Sequence, residues 1–366
     1  MNTNDLLTLL QEYHFQLDEL RRDYGRIRTM PATSFFLFGM GARRKLVYQA
    51  GVLKDALSGE ILRSWDVASE TVIPPAYTVL IEPHKAPPVK ITENEIGIWL
   101  EEGDQVTALS ESALNLPAFS GRKHALVLGV LQQEVLINIV DGIPVPNYFV
   151  YSHRKPWYRD SAMMAMVLQA TGNLDLIRDW ILNLRAPYDR NNAGDTEADN
   201  LGQALYLVSL VSDRSHPLVP ILLNELQVWQ TNDYIKGRTD FSEHPVYQTK
   251  WAKCGLAALG IKDPYEVPLI PDSYSSLFWW AYKDRHLQQT RFNEMDYPYL
   301  DWAEAHFYGE KNGPVSSSDY PLSWEANASQ ANYAGMACLS QAYTDQRLCA
   351  PHTWHAAEMF LCLLEV

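Results

Sequence analysis

The sequence predicts a mainly α fold: an (α/α)6 toroid of six helical hairpins, preceded by an N-terminal helix and a small antiparallel β-unit. Three observations predict it. From about residue 33 to residue 112, short alternating or β-branched runs lie between turn signals such as Pro74-Pro75, Pro87-Pro88, Ser58-Gly59 and Glu102-Gly103-Asp104. After Pro117 the strand signals fade and apolar residues return at helical spacing. The later segments also come in pairs, one apolar all round or rich in small residues and the other amphipathic, as an inner and an outer ring require.

Taken in order, Asn4-Asp5 can cap a helix whose Leu6, Leu9, Leu10, Tyr13, Leu17 and Leu20 recur at three and four residues. Strands are expected at 35–38, 45–48, 60–65, 71–73, 77–82, 89–92 and 96–100. Residues 1–116 thus form the helix and β-rich unit, and residues 117–366 form the barrel. In the second part, helices are expected at 123–140, from 157 to about 170, and at 174–184, 197–211, 216–229, 247–259, 273–287, 297–308, 324–343 and 352–364. Gly202, Ala204, Gly255, Ala257 and Ala258 are among the small residues that let inner helices approach one another.

Composition excludes several classes. Of 366 residues, 44 are acidic and 30 basic, giving a net charge of −14 and no basic stripe, which argues against a nucleic-acid partner. No basic-then-apolar leader opens the sequence and no apolar run is long enough to span a bilayer, so the expected address is the cytoplasm, with no membrane partner. The four cysteines are scattered without C-x-x-C spacing and read as buried thiols. No cofactor and no metal is expected, and the oligomeric state is left open.

If the six inner helices run parallel, the residues at their starts ring one mouth of the barrel. These are Trp157, Tyr158, Arg159 and Asp160; Glu197, Asp199 and Asn200; Glu243, His244 and Tyr247; Asp272 and Tyr274; Trp324 and Glu325; and His352, Trp354 and His355. A sugar offers an apolar ring face and a rim of hydroxyls, which flat aromatics and carboxylates, amides or Arg complement. Any one cluster is more often structural, since acids in the first turn cap a helix and offset its dipole. Six together favour a site. His352 and His355 lie three apart without a third ligand, so a metal is the minor reading.

Trp157-Tyr158-Arg159-Asp160-Ser161-Ala162 resembles the W-x-R-D-x-A segment that opens an inner helix in glucoamylase-like six-hairpin glycosidases. The resemblance implies an (α/α)6 barrel over residues 117–366, glycosidase activity, and sugar hydroxyls held by Arg159 and Asp160. The chain departs from the family in showing no acidic pair that matches its general acid. Inverting hydrolysis needs two carboxyls roughly 6.5–9.5 Å apart. Glu325, beside Trp324, is the expected base, and Glu243 the expected acid with Asp199 as its alternative. The expected substrate is a small saccharide or glycoside. Two other readings stand beside it: a sugar epimerase or isomerase using His352 and His355, and a non-catalytic carbohydrate-binding protein.

Overall fold

The computed structural model describes residues 2–24, 35–146, 155–191, 193–239, 242–268 and 353–365. The first element is helix α1 (Thr3–Tyr24), which buries Leu6, Tyr13 and Leu17. Two antiparallel meanders follow. β1 (Phe36–Phe38), β2 (Leu46–Gln49), β3 (Val52–Asp55) and β4 (Ile61–Ser64) pair in that order. β5 (Val67–Ile73), β6 (Thr78–Pro83), β7 (Val89–Glu93), β8 (Gly97–Glu102) and β9 (Gln105–Glu111) form the second. Alternate residues of β6, β7 and β8, among them Val79, Ile81, Ile91, Ile98 and Leu100, are buried, as the two-residue period of a strand requires.

The meanders are tied together by polar groups. At the end of β7, Glu93 accepts the backbone N–H groups of Gly39 and Met40 at 2.8 and 2.7 Å and pairs with Arg43 at 3.0 Å, with both side chains fully buried. Arg43 uses its remaining donors on the Asn94 and Ser112 carbonyls. Lys45 donates to the carbonyls of Gly39 and Gly41. Burial pushes its pKa down to about 7, against the raising influence of Glu93 and Asp141.

Helices dominate the later chain. α2 (Ala125–Ile137) is apolar and buried through most of its length. A hairpin of β10 (Ile139–Val140) and β11 (Ile143–Pro144) follows, then α3 (Tyr158–Ala170), α4 (Asp175–Leu182), α5 (Asp199–Ser209) and α6 (Leu218–Trp229). Two further hairpins, β12 (Gln230–Thr231) with β13 (Tyr234–Ile235) and β14 (Arg238–Thr239) with β15 (Ser242–Glu243), lead into α7 (Pro245–Ala258); the last helix is α8 (Thr353–Glu365). α8 packs on α2 and α3, α3 on α5, and α5 on α7. At this last contact the backbones meet: a Cβ on Gly202 would stand on the Trp251 carbonyl group, and one on Gly255 would lie 2.5 Å from the Gly202 oxygen. The buried apolar residues of meanders and helices form one cluster.

This architecture overturns the mainly α toroid. Among the described residues there are eight α-helices and fifteen strands in five antiparallel sheets, so the fold is mixed α and β. The physical reason lies in the turns. The end of the helix expected at 123–140 and the loops between later helices close into two-stranded hairpins, and the β-rich unit contains two further strands, β3 and β9. The helices expected at 273–287, 297–308 and 324–343 lie outside the described residues. Among the described residues, no helix is long and apolar enough to cross a membrane.

Candidate functional site

The start of α3 gathers the ionisable groups. Trp157 precedes the helix in extended backbone, and Tyr158 is its first residue. The free N–H of Tyr158, one of the donors a helix start leaves unpaired, is taken by the Asp189 carboxylate, and the Tyr158 hydroxyl donates to the Ala186 carbonyl at 2.7 Å. Arg159 points its guanidinium between Glu197, 3.6 Å from one oxygen, and the ring of Trp354, 4.9 Å from its centroid. Glu197 also accepts the Asn191 amide at 3.0 Å. Asp160 is 1 % exposed. The backbone N–H of Trp354, in the first turn of α8, favours the ionised form of Asp160.

Burial dominates the acid–base behaviour here. It lifts the Asp160 carboxyl from 3.8 to about 7, the Arg159 charge opposing and the Asp189 charge assisting. Asp189 is lifted to about 6, again chiefly by burial, with the Tyr158 N–H and Arg159 pulling it down and Glu197 pushing it up. Asp199, the first residue of α5, is also raised by burial, while Arg159, the Thr239 hydroxyl and the Gln203 amide act against that rise. Both of its oxygens are occupied: Oδ1 accepts from Thr239 at 2.9 Å and Oδ2 from Gln203 at 2.7 Å. Arg159 is thus a countercharge for Asp160, Asp189 and Asp199 as well as the partner of Glu197.

The expected site residues fall into three groups. Arg159, Asp160, Glu197, Asp199 and Asn200 come together, with Tyr158 and Trp354 buried beside them and Trp157 half-buried at the helix start. Asn200 is turned inward, its carbonyl accepting the Asp189 N–H and its amide reaching Gln203. Tyr247 is buried in α7, edge-on to Trp251, with its hydroxyl near Gln203. Glu243 is apart from them, exposed on β15 and paired with Lys236 at 3.1 Å. Asp272, Tyr274, Trp324, Glu325 and His352, together with the His355 side chain, lie outside the described residues.

Asp189, Gln203, Thr239 and Gln248 belong to the site and were not anticipated. Asp189 reaches the α3 start from 31 residues away, and Thr239 reaches Asp199 from 40, so no local spacing announces them. Gln203 did carry a signal, since it stands one turn after Asp199 on the same face. Among the described residues, no group of three or more His, Cys, Asp or Glu is placed to hold a metal ion. No protein-family model, no curated protein and no solved structure matches this chain. With the mixed fold, that corrects the glucoamylase-like resemblance to a six-residue likeness at a helix start.

Proposed function

We propose that the chain is a hydrolase of a small saccharide or glycoside, with Asp160 as general acid and Asp199 as general base. The observation that carries this reading is the contrast between two buried carboxyls around one guanidinium. Asp160 is held up to about 7 and so retains a proton near neutrality, whereas on Asp199, also raised by burial, both oxygens accept hydrogen bonds that favour the ionised form against that rise. Two buried carboxyls with unequal hydrogen bonding let one give a proton while the other takes one, as acid–base catalysis needs.

In the proposed reaction water attacks the anomeric carbon as the glycosidic C–O bond breaks. Asp160 gives its proton to the leaving oxygen, and Asp199 takes one from the attacking water. Arg159, oriented by Glu197 and stacked on the Trp354 ring, binds sugar hydroxyls, and the half-buried Trp157 offers a ring face to the sugar. The test is a panel of aryl glycosides and disaccharides with the product anomer followed by NMR. Turnover of at least one member with inversion, lost in Asp199→Asn, is the expected outcome. Equal turnover by parent and variant would remove Asp199 from the reaction.

A further inference from the structure

Asp199 stands at the meeting point of two hydrogen-bond chains whose polarity is set far from it. On one side, the backbone N–H of Gly237 donates to Gln248 Oε1 at 2.9 Å, and the Gly237 carbonyl accepts from Gln248 Nε2 at 3.0 Å. That double contact with one residue leaves Gln248 a single amide orientation. Its Nε2 also donates to Thr239 Oγ1 at 2.9 Å, so the one hydroxyl hydrogen of Thr239 is free only for Asp199 Oδ1. On the other side, the backbone N–H of Asp189 donates to Asn200 Oδ1 at 3.3 Å, which aims Asn200 Nδ2 at Gln203 Oε1, 3.2 Å away. Gln203 Nε2 then donates to Asp199 Oδ2 and to the Tyr247 hydroxyl.

Turning either glutamine amide over would set its oxygen against an acceptor and its nitrogen against a donor at once. Both chains therefore begin at backbone N–H groups and end on Asp199 as acceptor. The residues in them, Asn200, Gln203, Thr239 and Gln248, are 1 % exposed or less. Water does not compete for these bonds, and each is strengthened by the low local polarity.

We infer that Asn200, Gln203, Thr239 and Gln248 are positioning residues that hold Asp199 fixed and favour its ionised form against the burial that opposes it. A proton on Asp199 would weaken the charge-assisted hydrogen bonds on which both chains end. The inference deepens the hydrolase reading, which assigns Asp199 as base, but its first readout does not depend on turnover.

The ionisation of the Asp199 carboxyl is followed by carbon-13 NMR of aspartate-labelled protein, the signal assigned by its loss in Asp199→Asn. Thr239→Val keeps the side-chain shape and removes the donor. It is expected to raise the pH at which Asp199 ionises by about one unit, a ten-fold change in its proton affinity, and Thr239→Ser to restore the parent value. Gln203→Met tests the other chain in the same way and serves if Thr239→Val does not fold. An Asp199 titration unmoved in a folded Thr239→Val or Gln203→Met overturns the inference. If the titration moves and no glycoside is hydrolysed, the positioning holds and the hydrolase reading fails. If both are right, the acid limb of the pH–rate profile moves with the NMR titration.

Discussion

At the scale of single residues, what separates this cluster from ordinary helix caps is burial combined with unequal hydrogen bonding. Arg159 and Asp160 were legible in the sequence because they stand at a helix start beside Trp157 and Tyr158. Asp189 was not legible, because its partner is the N–H of a helix 31 residues away. Its raised pKa and that of Asp160 carry a consequence for stability. A carboxyl whose pKa is higher in the folded chain binds more protons there than in the unfolded chain, so it contributes stability below about pH 4 that is lost as pH rises through its folded value. For Asp189 and Asp160 those values are about 6 and about 7. We expect the thermal midpoint to fall between pH 4 and pH 7 on their account. In Asp160→Asn that fall becomes shallower, as scanning calorimetry at several pH values will record; an identical slope in parent and variant would show that Asp160 does not titrate there.

At the scale of elements, the helices were readable and their connections less so. Helices expected at 174–184, 197–211 and 216–229 span Asp175–Leu182, Asp199–Ser209 and Leu218–Trp229. The β10–β11 hairpin was read as the end of a helix followed by a loop. Its signal was present, since Asp141-Gly142 is the pair that a two-residue turn favours, and both residues adopt positive φ, 51° and 75°. The apolar run of α2 continues into Ile139 and Val140, however, and composition alone does not mark where helical spacing stops. The small residues of α5 and α7 were read for what they do. Gly202 and Gly255 let the two backbones touch, which holds Asp199 and Gln248 on facing helices. Gly202→Ala is expected to destabilise the chain by about 1–3 kcal/mol, because the added methyl meets backbone that cannot turn aside. Urea unfolding measures this directly, and an unchanged midpoint would mean that the helices separate without cost.

At the scale of the whole molecule, the toroid failed for a reason that can be traced. Pairing of apolar and amphipathic helices is a general solution to burying a core, and it occurs here beside five antiparallel sheets among the described residues. The β-rich unit was seen, but its two meanders and the buried Arg43–Glu93 pair that joins them depend on contacts 50 residues apart. The site draws on α3, α5, α7, α8 and the β14–β15 hairpin together, so its chemistry is a property of their packing rather than of one motif. The most direct measurement is the pH dependence of kcat/KM for a hydrolysed glycoside, in the parent and in Asp160→Asn. The account predicts a bell whose alkaline limb, near pH 7, reports the loss of the proton on Asp160, and a variant whose turnover falls at least about a hundred-fold with that limb gone. Turnover in Asp160→Asn equal to the parent, with the alkaline limb in place, would contradict it.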